Sequence, residues 1–346
     1  MGHRVVVLVA VLGVLTGVAS AQATRTLEVS LQDPGRPFAV ENLAGTMTVT
    51  AWDGDSVVAV ARVTAENDEL AARVSLDEVR GSDGRRTLRV RYPVRGIRAY
   101  RYEGRSSSQV TYDGRRVRVS GRHGTLLFAD VEVKVPRRQV DALFKQYVGP
   151  LAAQGLTGTL RLDTSSGAIT AQDLEGRVVA DTGSGNVEAT RIRGDLVCDT
   201  GSGSCRVTEF EGSRLTCDTG SGRVNIRGVR ADRVVADTGS GSVVVEDADI
   251  EEFRGDTGSG SIRLEAVGSR LRRVMADTGS GGVTVALPSG TTFRMTADIG
   301  SGSVRCDVPG AEQITSGRRV VGCRLGDEQV RITADTGSGS VTVTTR

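Results

Sequence analysis

Residues 233–266 read RVVADTGSGSVVVEDADIEEFRGDTGSGSIRLEA, and the pentapeptide DTGSG occurs in them twice, nineteen residues apart. Two physical readings compete for it. Asp-Thr-Gly-Ser carries the reactive carboxylate of aspartic proteases, and it is also a turn composition that a chain can reuse each time it closes a coil. Counting separates the two. The pentapeptide and its variants begin at Asp163 (DTSSG), Asp181, Asp199, Asp218, Asp237, Asp256, Asp277, Asp298 (DIGSG) and Asp335, with spacings of 18, 18, 19, 19, 19, 21, 21 and 37. Self-similarity near 20 residues marks a solenoid, in which each repeat stacks on its neighbours. Aspartic-protease chemistry needs two carboxylates opposed across a cleft and sharing a proton; nine copies one coil apart lie side by side instead. The motif is a turn.

The flanking residues give the register. Three residues before the Asp stand Val178, Leu196, Leu215, Val234, Phe253, Val274, Met295 and Ile332, and one before stand Ala180, Cys198, Cys217, Ala236, Gly255, Ala276, Ala297 and Ala334. Six after come Ile169, Val187, Cys205, Val224, Val243, Ile262, Val283, Val304 and Val341, and eight after come further small or aliphatic residues. Alternation with period two on both sides predicts strands with one buried face. The two inward sets are offset by seven, an odd number, so the parity resets inside the motif and the chain bends there. The glycines are expected to supply positive φ, and Asp and Ser to bond nearby amides in an Asx-type turn. A second bend is expected some thirteen residues after the Asp, near Gly176, Gly194 and Gly212. The fold class is therefore all-β: a single-chain, parallel β-helix-like β-solenoid of about 18–21 residues per coil, residues 156–346, preceded by a β-rich segment.

That segment, residues 24–136, alternates Met47 with Val49, then Val57, Ala59, Ala61 and Val63 across Asp53-Gly54, and again Val131, Val133 and Val135. It reads as divergent coils or hairpins of the same solenoid. Residues 137–155 read as a short capping helix and linker, with Val140, Leu143, Phe144, Tyr147 and Val148 on one helical face and Gly149-Pro150 as the stop. The 37-residue gap, near two periods, is expected to hold one coil that has lost its motif, with a loop or hairpin inserted over 309–334.

Residues 1–23 begin with Arg4, continue with fourteen uncharged residues from Val5 to Val18, and end in Ala19-Ser20-Ala21-Gln22-Ala23. The pattern is that of a secretory signal, and the run is short for a membrane span. The expectation is an exported product, in periplasm, on the outer surface or outside the cell, that does not span the membrane. Basic residues are nearly all Arg, with Lys only at Lys134 and Lys145, and the net charge is +2.

NLAGTMTVTAWDGDSVVAV, the VEVKVP segment and the succession of ADTGSGSV-type coils resemble the bacterial "putative adhesin" family, a domain of unknown function built as a β-solenoid. The resemblance covers nearly the whole chain after residue 23. It implies an envelope or surface protein acting as a non-catalytic binding or scaffolding element, and it offers no catalytic residues to carry over.

The chemistry-bearing residues are few. His3 and His123 are the only histidines, which removes histidine-based zinc sites and Ser-His-Asp arrangements. The stacked Asp181, Asp199, Asp218, Asp237, Asp256 and Asp277 repel one another unless they are compensated. Local amides and hydroxyls are one solution. A calcium row is the other, although each motif offers one carboxylate where calcium takes six to eight oxygens. Apart from that ladder the sequence suggests no metal site and no cofactor. Between Arg80 and Arg122 thirteen arginines face three acids, Asp83, Glu103 and Asp113. This is either a solvated surface or a patch for anionic partners such as envelope polysaccharide, a surface protein or lipid headgroups, with Arg95, Arg98, Arg101 and Arg105 as its candidates. Export argues against nucleic acid. Among five cysteines, Cys198 and Cys217 fall on consecutive coils, Cys198 with Cys205 spans one corner, and Cys306 with Cys323 could staple the insertion. An odd count leaves at least one thiol in the core. The rival class is a carbohydrate-active enzyme, a polysaccharide lyase or hydrolase on a β-helix, but no carboxylate pair stands out. Self-association through the solenoid end is a third reading, because SVTVTTR closes the chain on a strand expected to expose an edge.

Overall fold

The computed structural model describes residues 22–32, 37–81 and 83–346, so the signal segment lies almost wholly outside the described residues. Among them the chain is all-β, interrupted by one short helix, Asp68–Ala72, whose Asn67 cap accepts the amide of Leu70 at 2.9 Å. Two compact units are present, residues 1–185 and 186–346.

The second unit shows the repeat at its most regular. The first of its coils are each one long strand bent in the middle, such as Cys205–Thr219, Val224–Thr238 and Val243–Thr257, and the later coils are each two short strands. Neighbouring coils pair in parallel and in register, so Asp218 lies beside Asp237 and Thr219 beside Thr238. The inward face is aliphatic, and the motif threonine extends it. Thr219, Thr238, Thr257, Thr278 and Thr336 are each about 1% exposed or less, whereas Asp218, Asp237, Asp277 and Asp335 are exposed. Inward positions thus run at minus three, minus one and plus one relative to the Asp. The four residues after the Thr turn the corner, and the parity restarts at plus six.

The corner is held by that threonine rather than by the Asp or Ser. In the Asp237 coil the Gly241 amide donates to Thr238 Oγ1 at 3.1 Å, and the Thr238 hydroxyl donates to the Gly222 carbonyl of the preceding coil at 2.7 Å. The same pair of bonds recurs at Thr219, Thr257, Thr278 and Thr336. The glycines are required for close approach. A Cβ on Gly241 would stand 1.8 Å from the Gly222 carbonyl oxygen, and one on Gly222 would stand 1.9 Å from that of Gly203. Positive φ occurs ten residues after the Asp, at Arg191, Glu209, Gly228 and Asp247 (φ 53°, 57°, 65° and 51°), and again at Gly176 and Gly194 (113° each), two of the glycines at which the sequence places the second bend.

The stacking order departs from chain order. Strand Val330–Thr336 lies between Arg273–Thr278 and Phe293–Ile299, parallel to both. The Asp335 coil is therefore threaded between those of Asp277 and Asp298. The 37-residue gap holds no motif-free coil. It holds the hairpin Glu312–Ser316 and Arg319–Leu325, followed directly by the returning strand. The second hairpin strand pairs antiparallel with Phe293–Ile299 and covers that edge. The closing segment SVTVTTR is not an edge either: Val341–Thr345 is flanked by Val283–Leu287 and Val304–Asp307. Cys306 and Cys323 form a disulfide that fastens the Val304–Asp307 strand to the hairpin.

The first unit uses the same corner with different residues. The expected helix at 137–148 is a strand, Gln139–Val148, and the correction has a clear cause. Its buried positions are Val140, Ala142, Phe144, Gln146 and Val148, a period-two set whose polar member hides the alternation. Gln146 occupies the threonine position, in register with Asn42 on one side and Thr164 on the other. Asn42 Nδ2 donates to Gln146 Oε1 at 2.9 Å, and Gln146 Nε2 donates to the Gly45 carbonyl at 3.0 Å. Gly149 is a corner glycine and not a helix stop, since its Cβ would lie 1.8 Å from the Gly45 oxygen. Here too the order is interleaved. Phe38–Ala44 lies between Arg86–Arg91 and Gln139–Val148, and Met47–Trp52 between Thr125–Pro136 and Leu151–Gln154. Antiparallel strands Val57–Ala65, Ala23–Leu31 and Ser75–Arg80 finish the unit and cap its parallel edges.

The corner chemistry makes a ranked prediction. Thr238→Val keeps the shape but removes both corner bonds, and should cost about 1–3 kcal/mol in chemical denaturation. Gly241→Ala should cost roughly 3 kcal/mol, because backbone cannot yield cheaply. Asp237→Asn should be neutral or mildly stabilising at pH 7. Partial burial and the carboxylates of Asp256 and Asp218 push the Asp237 pKa up. The folded state then holds this proton more tightly than the unfolded chain. The resulting stability is present below the ordinary carboxylate range and is lost as pH rises through it, a dependence the Asn variant should lack.

Candidate functional site

The Arg-rich stretch folds into a small sheet on the first unit. Ser108–Tyr112 and Arg115–Ser120 form a hairpin, Arg115–Ser120 pairs in parallel with Ala99–Arg101, and Tyr100 and Arg101 pair with Thr125 and Leu126. The hairpin turns on Asp113-Gly114, with φ of 46° and 71°, the two-residue turn that Asp-Gly favours between twisted strands. Val110 and Tyr112 before it, and Val117 and Val119 after it, are buried.

Beneath the sheet lies a cluster of tyrosine rings. Tyr92 meets Tyr100 and Tyr112 edge-on at 5.7 and 6.0 Å, and Tyr112 meets Tyr147 at 5.0 Å. Tyr92 Oη donates to Asn42 Oδ1 at 2.9 Å, tying the cluster to the first corner, and Tyr112 Oη donates to the Val90 carbonyl at 2.5 Å. Burial pushes the Tyr92, Tyr100 and Tyr112 hydroxyls far up and that of Tyr147 up to about 12. These phenols stay protonated and serve packing. Tyr100 Oη is buried and, among the described residues, has no hydrogen-bond partner, while the positive charge of Arg73 lies near enough to act on it.

Alongside the cluster opens a cleft of about 510 Å³ lined by Arg73, Arg91, Tyr92–Arg95, Asp113 and Arg115. The short helix delivers Arg73 as its C-cap, the end of Arg86–Arg91 delivers Arg91 and Arg95, and the Asp-Gly hairpin delivers Asp113 and Arg115. Asp113, the only carboxylate in the lining, is already engaged, 2.8 Å from Arg89 Nη1 and 3.8 Å from Arg91 Nε. Arg89 in turn holds Glu41 at 2.8 Å. Burial opposes the Arg89 charge, but Glu41, Tyr112 and Asp113 more than offset it. Arg73, Arg95 and Arg115 are exposed and pair with no acid among the described residues. The cleft is therefore a concentrated positive field with one half-buried acid in its lining, neutralised by Arg89 and Arg91.

Of the patch read from sequence, only Arg95 lines this cleft; Arg98, Arg101 and Arg105 do not. Arg73 was missed because it comes from a helix end outside the arginine run, and Arg115, though within the run, was not among its four candidates. The Asp113-Gly114 pair between alternating apolar residues was the available signal. The ladder aspartates Asp199, Asp218, Asp237, Asp256 and Asp277 stand in one file, and Asp163 and Asp181 pair in the first unit. They do not converge. Among the described residues the one group of three or more metal-ligating side chains is Cys198, Cys205 and Cys217.

Residues 119–344 match the family described as Toastrack DUF4097. The chain belongs to that family. The membership agrees with the resemblance carried by the ADTGSGSV coils, and the matched span covers the corners from Gln146 onward. Toastrack membership does not extend to Arg73, Arg91, Arg95 and Arg115, which precede the matched span. Among curated proteins, none matches the chain. Solved structures to which the chain shows a weak similarity include a "putative cell adhesion protein" of Clostridium sporogenes, 10% identical over 94% of this chain and 100% of that one, at a TM-score of 0.20. A "putative lipid binding protein" of Parabacteroides distasonis is 12% identical over 93% and 96%, at a TM-score of 0.40. A "putative adhesin" of Bacteroides fragilis is 11% identical over 94% and 98%, at 0.31. Similarities this low carry no argument about ligands. No helix among the described residues is long and apolar enough to cross a membrane.

Removing Asp113 tests its place in the cleft. Asp113→Ala should strip Arg89 and Arg91 of a partner and lower stability by about 1–3 kcal/mol. The same variant should raise the salt concentration needed to elute the protein from a sulfated resin.

Proposed function

We propose that this protein is an exported, non-catalytic binding element of the bacterial envelope, whose Toastrack scaffold presents the arginine cleft to an anionic polymer. The observation that carries the reading is the set of three unpaired guanidinium groups, Arg73, Arg95 and Arg115, converging on one concave site. Arginine suits carboxylate, sulfate and phosphate groups because its fork bonds them in pairs. Three guanidinium groups in one cleft of about 510 Å³ suit a ligand carrying several anionic groups, and acidic envelope polysaccharide is the ligand class that fits. Export is part of this reading, and residues 4–21 support it with a basic start, an apolar run and small residues before Gln22.

Catalysis fits the cleft poorly. Cleavage of a glycan by carboxylates needs an acid and a base or nucleophile flanking the bond. Asp113 is alone in the lining and is committed to Arg89 and Arg91.

Retention on immobilised polygalacturonate, measured against salt, tests the proposal. The wild-type chain should bind and elute with rising salt, with a neutral dextran resin retaining nothing. Arg73→Ser, Arg95→Ser and Arg115→Ser together should abolish retention, while Arg98→Ser with Arg105→Ser should leave it nearly unchanged. Equal retention of the triple variant overturns the cleft. Release of reducing or unsaturated ends from the polymer, lost in Asp113→Ala, overturns the non-catalytic reading.

A further inference from the structure

The second unit buries three thiols that the anion cleft does not use. Cys198 and Cys217 hold the same inward position on consecutive coils and lie in register. Cys205 faces them from the strand on the other side of the corner. All three are fully buried, and their sulfurs lie within 4.8 Å of one another. Cys205 Sγ and Cys217 Sγ are 2.9 Å apart. Unbonded heavy atoms settle at roughly 3.5–4.0 Å, so these two sulfurs sit inside contact distance.

A metal does not suit this spacing. Three thiolates around one ion, with metal–sulfur bonds of ~2.3 Å, would stand about 4 Å apart. A closed zinc site also wants a fourth ligand. The register neighbours are Ala236 beside Cys217, and Val187 and Val224 beside Cys205, none of which can ligate. What the geometry does suit is a covalent bond across the coil. Cys205 and Cys217 stand on its two faces, twelve residues apart in the chain and aimed at each other, unlike the parallel pair Cys198 and Cys217.

We infer that Cys205 and Cys217 form a disulfide through the core of one coil, with Cys198 retained against it as a thiol able to exchange with it. The bond forms by exchange with a small-molecule disulfide such as oxidised glutathione. The Cys205 thiolate attacks one sulfur of that disulfide, giving a mixed disulfide and expelling one thiol. The Cys217 thiolate then attacks the Cys205 sulfur, closing the internal bond and expelling the second thiol. Two protein thiols are oxidised, one external disulfide is reduced to two thiols, and the two protons leave with the expelled groups. Because all three sulfurs are buried, the exchange takes place before the coil closes. The third sulfur is the natural competitor. Cys198 lies within 4.8 Å of both bonded sulfurs. As its thiolate it can attack the Cys205 sulfur, closing Cys198–Cys205 across the corner and expelling Cys217, which takes up the proton that Cys198 gave up.

Counting thiols on the full chain, folded with oxidised and reduced glutathione and alkylated after denaturation without reductant, tests this. With Cys306–Cys323 already bonded, one alkylated cysteine of the five is expected, and a peptide map should show Cys205 joined to Cys217. Three alkylated thiols overturn the inference. So does a stoichiometric metal in elemental analysis that is lost on acidification together with the appearance of three thiols. Cys198→Ala should leave no alkylated thiol, and Cys217→Ala should likewise leave none, by moving the bond to Cys198–Cys205. Cys205→Ala should leave two. In a Cys306→Ala, Cys323→Ala background, reductant should lower the thermal midpoint by about 5–10 °C, the loss expected for a short closed loop; an unchanged midpoint there counts against the bond.

Discussion

The regular coils depend on one bond, the threonine hydroxyl reaching from its own corner to a glycine carbonyl in a neighbouring coil. That bond exists only because the two backbones approach closely, and they do so only because no Cβ stands between them. Thr and Gly are therefore one device. The hydroxyl satisfies a buried carbonyl and a turn amide together, in a place where water cannot reach and an unmet group would be costly. The aspartate that draws the eye in the sequence is peripheral to this. It faces outward, in a file of like charges, and its repetition reflects the repetition of the corner.

The interplay of that device with a thin aliphatic interior explains how the first unit can diverge so far in sequence. Asn42 and Gln146 do the work of threonine with longer side chains, spanning the same gap by amide-to-amide bonds. Gly45, Gly149 and Gly167 keep the close approach. The function then rests on what is added to the scaffold. The small sheet, the tyrosine rings and the Asp-Gly hairpin sit on the first unit and collect arginines that the coils themselves would have spread along a flat face.

The solenoid, its register and its parity break could be read from alternation around DTGSG, because period-two burial writes itself directly into Val, Ile, Leu and Ala. Which residue holds the corner could not. Asp, Thr, Gly and Ser are all turn formers, and only the direction of the Thr side chain separates the anchor from its neighbours. The strand at 139–148 was misread for a related reason. Gln146 is polar and buried, so a pattern search sees Leu143 and Tyr147 and finds a helical face. Interleaving of coils is a property of pairing between distant segments and leaves no local trace, which is why the gap before Asp335 looked like a missing repeat. Arg73 was invisible likewise, since it lies outside the arginine run and is brought to Arg95 and Arg115 by chain reversals rather than by proximity in sequence.

The threading of the Asp335 coil between those of Asp277 and Asp298 has a temporal side. A simple stack can be laid down turn by turn as the polypeptide leaves the ribosome, each turn finding its bed already made. Here the Asp298 turn emerges before the surface it must rest on has been synthesised. It has to wait, or rest provisionally on the Asp277 turn and be displaced. The strands Val330–Thr336 and Val341–Thr345 thus act as a late wedge, and a nascent chain that stops short of them is left with an unseated turn at its growing end.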